Sequence, residues 1–334
     1  MDALKSPSTH YEAAQETGAV GRISPRPCRT CGATGNRIVA TESPCALWGD
    51  RPWMPEGHYT NIRCHQCGSH YVDSDVTEKY LDEVMATYVP EFHQGRQTYG
   101  DTVEKDVIRN AELEENWFMV ARTRAPKHGD QLLDFGSAWG AFGNAAKQSG
   151  VVPNGIELQA TGAAFSRELW GPASTVYEGP IETAPWPEKK FDYITSFETL
   201  EHVFDPIRIL KKMRSLLKDN GVVAISVPAS NYFEFKYWLY RKSPIGSWLR
   251  KNYAGAMVNE RVLIHNHITT PSVRSVELWM EKAGLKVIHV QPYCSGLRGG
   301  RLGKFLPMAA ALLWRLSFKR IAFAPSIFAI AVKA

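Results

Sequence analysis

Four cysteines and one glycine loop carry most of the chemistry that can be read from the chain. Cys28-Arg29-Thr30-Cys31-Gly32 and Cys64-His65-Gln66-Cys67-Gly68 are two C-x-x-C-G knuckles. Each such turn presents two thiolates to one side, and its glycine permits the bend, so a pair suits one tetrahedral zinc ion. Cys28, Cys31, Cys64 and Cys67 are the expected ligands of a structural zinc, in a ribbon with a β-hairpin between the knuckles. Reduced thiols without metal, or a ribbon that has lost its ion, are the other readings. Four thiolates close the shell, which argues against a catalytic zinc. Cys45 and His65 are spare donors, read as a loop thiol and a knuckle residue, and Cys294 as a strand-end thiol.

The second constellation is Leu132-Leu133-Asp134-Phe135-Gly136-Ser137-Ala138-Trp139-Gly140, followed by a helix-like run from Ala141 to Ser149. It reads as a buried strand, a tight loop and a helix start. Glycines let the backbone come close to a ligand, and the free N–H groups of the helix start face it. An ordinary glycine turn between strand and helix is the plainer alternative.

These residues need a scaffold, and the pattern from residue 131 onward supplies one. Strands are expected at 131–135, 154–157, 174–177, 191–196, 221–227, 285–292 and 326–332, with helical segments between. Such alternation predicts a doubly wound α/β sheet, in which ligands bind at the carboxyl ends of the strands near the topological switch point. Ahead of it, 28–75 is the ribbon-like domain. The stretch 76–130 holds linker helices, with one helix over 102–124 whose acidic face reads as solvated. Residues 1–27 read as a disordered tail. Within 131–334, insertions at about 230–262 and 296–322 are expected to form helical lids.

Composition bounds the rest. At 334 residues, 44% hydrophobic and with a formal charge of +5, the chain describes a soluble globular protein. No apolar signal region precedes the ribbon, and no run reaches the roughly 18 apolar residues of a membrane span. A cytoplasmic location is expected, with peripheral membrane contact as an added reading. The basic charge is local. Residues 231–253 carry Lys236, Arg241, Lys242, Arg250 and Lys251 against Glu234 alone, interleaved with aromatics. Residues 296–320 carry Arg298, Arg301, Lys304, Arg315, Lys319 and Arg320 with no acid. An anionic substrate, a membrane surface and nucleic acid are the candidate partners. The first segment reads either as a lid gripping a sugar phosphate or lipid-linked phosphate, or as one that packs on the core. The second reads as another cap or as an interfacial helix.

Several side chains fall on the strand ends. Glu157 closes the second strand, about 20 residues past the loop, where an acid accepts hydrogen bonds from ribose hydroxyls. After the third strand, Ile181 is placed to cover one face of a purine. The fourth strand leads into Phe197-Glu198-Thr199-Leu200-Glu201-His202-Val203-Phe204-Asp205-Pro206. His202 suits a general base or an acceptor-positioning group, and otherwise packs under the loop. Glu201 reads as structural or orienting. His267 is a candidate substrate ligand or a loop residue, and His265 with His267 is a weak metal pair.

Taken together, these elements resemble the class I S-adenosylmethionine-dependent methyltransferases. The likeness is to the bacterial small-molecule branch that includes ubiquinone-biosynthesis O-methyltransferase-like proteins. It rests on Leu133-Asp134-x-Gly136-x-x-x-Gly140, Glu157, Phe191-Asp192-Tyr193-Ile194, Leu200-Glu201-His202-Val203-x-Asp205-Pro206, and Leu217-Lys218-x-Asn220-Gly221 before a strand ending at Pro228. The resemblance implies a seven-stranded Rossmann-like sheet that binds S-adenosylmethionine through Asp134, Gly136, Ser137, Ala138, Gly140, Glu157, Ile181 and Phe197. It implies methyl transfer, O-methylation first, to a small-molecule or saccharide acceptor, with His202 as the catalytic candidate and His267 on the substrate. A ribbon before a long helix and this core also resembles a subgroup concerned with sugar or polysaccharide modification.

Two positions depart from the pattern. Ala138 replaces a middle glycine, acceptable if its φ is negative, and Pro180 stands where an acid often receives the adenine amino group, leaving Glu178, Glu182 or backbone to substitute. Some ribosomal-RNA guanine methyltransferases also place a ribbon before such a core. Here Arg29, Arg37, Arg51 and Arg63 are outnumbered by Glu42, Asp50, Glu56, Asp73 and Asp75, and no Asn-Pro-Pro-Tyr-like motif follows the fourth strand, which argues against nucleic acid. A non-catalytic cofactor-binding scaffold is the remaining alternative, opposed by the intact loop and Glu157.

Overall fold

The computed structural model describes residues 26–42, 59–73, 107–239, 243–244, 267–294 and 301–334. Most of the expected tail, Cys45, the greater part of the 76–130 linker, most of the 230–262 lid, and His265 lie outside the described residues.

The chain first makes three short antiparallel strands, β1 (Arg37–Glu42), β2 (Tyr59–Arg63) and β3 (His70–Asp73). Helix α1 (Val107–Thr123) leads into the alternating part. This runs β4 (Gln131–Phe135), α2 (Ala141–Lys147), β5 (Val152–Ile156), α3 (Ala160–Trp170), β6 (Val176–Tyr177), β7 (Phe191–Phe197), α4 (Pro206–Leu216) and β8 (Leu217–Pro228). It continues with α5 (Ser230–Tyr237), β9 (Thr269–Thr270), α6 (Val273–Lys282), β10 (Leu285–Tyr293), α7 (Arg301–Leu316) and β11 (Ser326–Lys333).

Seven strands form one sheet in the order β10-β11-β8-β7-β4-β5-β6. From β8 to β6 all neighbours are parallel, while β11 runs against both β8 and β10. The chain winds outward from β4 to β6 and returns to β7 on the other side of β4. The switch point therefore lies between the carboxyl ends of β4 and β7, where open α/β sheets bind ligands.

Residue alternation explains why both faces are covered. Leu133, Ile194, Val223, Ile225 and Ile327 pack against α4 and α6 through Leu210, Met213, Val276 and Trp279. Their neighbours Leu132, Tyr193, Val222, Ala224 and Phe328 pack on the opposite face against Trp117, Val120, Phe142 and Ala146 of α1 and α2. Strands apolar on both faces are those of a parallel sheet buried between two helical layers. The helices have local start signals. Asp205 caps α4 by accepting from Arg208 N at 2.9 Å, with Pro206 in the first turn, and Ser272 caps α6 by accepting from Ser275 N at 3.1 Å.

Two strands differ from expectation. β6 keeps only two residues, because it is an edge strand pairing with Gly155 and Ile156 alone. β8 starts at Leu217 rather than 221. Phe191 pairs with Leu217 and Tyr193 with Val222, so Lys218–Gly221 bulges at the rim and reads as a turn in sequence.

The smaller sheet has the order β1-β2-β3-β9, so its fourth strand comes from far downstream. The ribbon also grips α6: Trp279 Nε1 donates to Thr30 Oγ1 at 2.9 Å and Lys282 Nζ to the Thr30 carbonyl at 2.6 Å. The Arg29 guanidinium lies 4.4 Å over the Phe204 ring.

Candidate active site

The glycine loop sits at the carboxyl end of β4, at the switch point. Gly136 has φ +76°, and a Cβ there would strike the Thr199 side chain. The N–H groups of Gly136 and Ser137 donate to the Ile156 carbonyl at 2.9 and 3.1 Å, and Gly140 N donates to the Ser137 carbonyl at 2.8 Å. Ala138 does not meet the condition of a negative φ: its φ is +47°, in the left-handed region. Surrounding bonds hold it there. Its N–H donates to Glu157 Oε2 at 2.7 Å, and its carbonyl accepts from Ser166 Oγ at 3.1 Å. Gly162 of α3 packs so closely that a Cβ would stand 2.7 Å from the Ala138 carbonyl oxygen. Behind the loop, Trp170 Nε1 donates to the Gly140 carbonyl at 2.7 Å.

Asp134 is 4% exposed and accepts from Thr195 Oγ1 at 2.9 Å. Burial pushes its carboxyl up to about 7, with the Thr195 hydrogen bond opposing and the Glu157 charge adding. Glu157 lies just past β5. Beyond the Ala138 bond, its Oε1 accepts from Gln159 N at 2.8 Å. Burial raises its pKa, opposed by these backbone donors. Each carboxylate oxygen still has a second lone pair, so Glu157 both fixes the loop and retains acceptor capacity. Ser137 is buried and its Oγ has no hydrogen-bond partner among the described residues.

Ile181 corrects an expectation. It is 1% exposed, turned inward by the 3₁₀ turn Ile181–Thr183 and packed in the core cluster that holds Ala184 and Trp186, so it does not offer a face to a purine. The acids beside Pro180 are also engaged: Glu178 pairs with Arg167 at 2.5 Å and Glu182 with Arg208 at 2.9 Å. Backbone of the 178–181 turn and the half-buried Tyr177 remain on that side. Phe197 ends β7, half-buried, stacked on Phe328 at 6.0 Å and edge-on to Phe142 at 4.7 Å. Asp192, part of the motif, is a scaffold group that accepts from Arg124, Lys218 and Gln131 N.

At the carboxyl end of β7 the structure gathers Glu201, His202 and His267. Both histidine Nε2 atoms lie 3.7 Å from Glu201 Oε1. The rings stand edge to face, 4.8 Å apart. Glu201 is fully buried, and neither of its carboxylate oxygens has a hydrogen-bond partner among the described residues. Burial raises its carboxyl well above the usual range, and the nearby Glu198 adds to this. Glu198 has φ +51° and accepts from Ser226 Oγ at 3.0 Å. The three donor atoms of Glu201, His202 and His267 all lie within 4.8 Å of one another, a spacing that admits a cation as well as a proton relay. Sequence reasoning paired His267 with His265; its neighbour in space is His202. Glu201, read as structural or orienting, is buried beside both rings, while the loop supports Ser166, Gly162 and Trp170 escaped it. Spacing along α3, which puts Gly162, Ser166 and Trp170 on one face, was the available signal.

The four knuckle cysteines converge. Their Sγ atoms lie within 4.8 Å of one another, with Cys28–Cys67 at 3.6 Å and Cys31–Cys64 at 3.4 Å. A tetrahedral zinc with bonds of about 2.3 Å holds its sulfurs about 3.8 Å apart. All four are free thiols, and Cys28, Cys64 and Cys67 are buried. Gly32 N donates to the Cys28 carbonyl and Gly68 N to the Cys64 carbonyl, closing both knuckles alike. His65 faces away from the sulfurs, Nδ1 lying 3.1 Å from Asn36 Oδ1.

Comparison with known proteins agrees with this architecture. Residues 110–290 match a family described as a methyltransferase domain. The chain belongs to that family, within the class I S-adenosylmethionine-dependent methyltransferases. It is 27% identical over 106 residues to a ubiquinone biosynthesis O-methyltransferase of Haemophilus ducreyi, covering 29% of this chain and 45% of that protein. A protein of the same name from Coxiella burnetii is 22% identical over 213 residues, covering 56% and 84%. The Burkholderia thailandensis 1,6-didemethyltoxoflavin-N1-methyltransferase, solved with bound 1,6-didemethyltoxoflavin and S-adenosylhomocysteine, aligns with TM-score 0.51 and 13% identity over 81% of this chain and 97% of that one. That last likeness is one of fold.

Proposed function

We propose that this protein transfers the methyl group of S-adenosylmethionine to an oxygen of a small-molecule or saccharide acceptor, and that its ribbon is closed by one zinc ion. The observation that carries the reading is the glycine loop at the switch point of the sheet, tied to a buried acid by Ala138 N to Glu157 Oε2 at 2.7 Å. Gly136 to Gly140 and Glu157 are the residues that would hold the cofactor, which supplies a methyl already activated on a sulfonium.

The chain's own work is then orientation and proton handling. His202, the more open of the two histidines, is the group to take the acceptor proton at Nε2. The buried carboxyl of Glu201 stands 3.7 Å from that nitrogen and is the group that would set the ring's orientation. His267 faces the same Glu201 oxygen at 3.7 Å and lines the acceptor region beside Phe233, with ring centroids 6.5 Å apart.

Calorimetry with S-adenosylhomocysteine tests the reading. Binding that Glu157→Ala weakens by about tenfold or more is expected, from loss of a charge-assisted hydrogen bond; a folded protein that does not bind overturns it. Metal analysis should return one zinc per chain. Assays with sugar nucleotides and with RNA separate the acceptor classes, and turnover of RNA alone would reverse the choice.

A further inference from the structure

We propose that α7 and the turn after it form an interfacial anchor that seats this face of the protein on an anionic lipid bilayer. The helix carries two apolar stripes. Ala310 and Trp314, one turn apart, are 1% and 7% exposed and fasten it to the sheet. Met308, Leu312 and Leu316 also recur at four-residue spacing, yet are 71%, 58% and 67% exposed. At about 100° per residue this second stripe lies roughly opposite the first. A helix apolar on both sides needs cover on both.

The turn that follows extends the exposed stripe. Phe318 and Lys319 both have positive φ, +52° and +62°, and Lys319 N donates to the Trp314 carbonyl at 2.8 Å. This closes the helix and leaves Phe318 86% exposed. Exposed aromatics also lie just downstream and on α5. Phe323 meets Phe235 of α5 at 4.9 Å, and Phe235 and Trp238 are 41% and 51% exposed.

Charge selects the occupant. Arg315, Lys319 and Arg320 border the apolar stripe, and residues 301–325 contain no acid. A second copy of this chain, meeting the face symmetrically, would bring like charges together. A nucleic acid would take the cations and leave the apolar stripe in water. The interface of an anionic bilayer takes both: apolar side chains enter the acyl boundary while cations stay among the headgroups. The helix lies in the plane, since no described helix is long and apolar enough to cross a membrane.

The test is co-sedimentation of the full chain with phosphatidylcholine vesicles with and without phosphatidylglycerol. Sedimentation that requires phosphatidylglycerol and weakens with salt is expected. Leu312→Gln with Leu316→Gln and Phe318→Ser should lower partitioning by about tenfold or more. Arg315→Gln with Lys319→Gln and Arg320→Gln should abolish the phosphatidylglycerol requirement along with the binding. S-adenosylhomocysteine affinity, unchanged in both variants, reports that the core is folded, and separates this proposal from the methyl-transfer reading. Phe318→Ser alone, at an exposed turn, keeps the test open should a triple variant not fold. No sedimentation, sedimentation indifferent to the apolar substitutions, or a dimer that these substitutions turn into a monomer would each overturn the proposal.

Discussion

Val72 of the ribbon and Glu201 of the site are joined through one residue. The carbonyl of Ile268 accepts from Val72 N at 3.0 Å, and its N–H donates to the Glu201 carbonyl at 2.8 Å. The preceding residue is His267. The next two, Thr269 and Thr270, pair with Tyr71 and His70 of β3. Farther along, the hydroxyls of Ser272 and Ser275 both donate to the Cys67 carbonyl. The knuckle that holds two sulfurs thus also fixes the strand that delivers His267.

If the ribbon holds the proposed zinc, its loss should therefore reach the proposed acceptor side before the cofactor side. Cys31→Ser, or treatment with a chelator, is expected to lower turnover by about tenfold or more, because small misplacements of positioning groups are costly. S-adenosylhomocysteine affinity should hold within about twofold, since the Gly136 to Gly140 loop is braced by Glu157, Ser166 and Trp170 instead. Parallel calorimetry and turnover assays on metal-depleted protein decide the matter; equal losses would show that the ribbon acts on the whole fold.

Asp134 gives a pH prediction whose sign is fixed. Its folded pKa of about 7 lies above the ordinary value of 3.8. A carboxyl raised in this way contributes stability that is full below the unfolded value and is lost as pH rises through the folded one. Ligand-free Asp134→Asn should therefore gain on the wild type as pH rises from about 4 to about 7, by up to roughly 4 kcal/mol, then run parallel above. Urea denaturation across that range checks it. A constant gap would mean that Asp134 is ionised at neutral pH.

Sequence made the sheet legible because each buried strand is a short apolar run ending in a turn, and because Asp205 and Ser272 are local caps. It brought out the loop and the four cysteines, whose spacing is local. Ile181 misled because apolar character does not say which way a 3₁₀ turn faces. Ala138 misled because its φ is imposed from outside, by Glu157 and Gly162. The Glu201, His202 and His267 cluster was only half visible, since His267 arrives from 65 positions downstream, just ahead of a strand that the ribbon organises.

The strained loop residue offers a stability test. Left-handed backbone costs an L-residue about 1–2 kcal/mol, while glycine loses roughly 0.5–1 kcal/mol of chain entropy on folding. Ala138→Gly should thus be neutral to about 1 kcal/mol stabilising, with cofactor affinity retained. Gly162→Ala should do the opposite, because the new Cβ would meet the Ala138 carbonyl oxygen at 2.7 Å and push the loop off Glu157. Thermal melts with and without S-adenosylhomocysteine measure both, and a Gly162→Ala protein with unchanged affinity would show that the loop can shift freely.

The histidine pair and its buried acid should separate in kinetics. His202→Ala removes the proposed proton acceptor and should lower kcat by about 10²–10⁴-fold, the usual span for general-base loss, with S-adenosylhomocysteine affinity unchanged. His267→Ala, at the proposed acceptor side and facing the same Glu201 oxygen, should raise KM more than it lowers kcat. Glu201→Gln keeps volume and removes the group that both Nε2 atoms face at 3.7 Å. If Glu201 acts by orienting His202, this variant lowers kcat in the wild type but adds little to His202→Ala, a non-additivity that a double-mutant cycle reads directly. Additive losses would instead assign Glu201 to holding the fold together beneath the site.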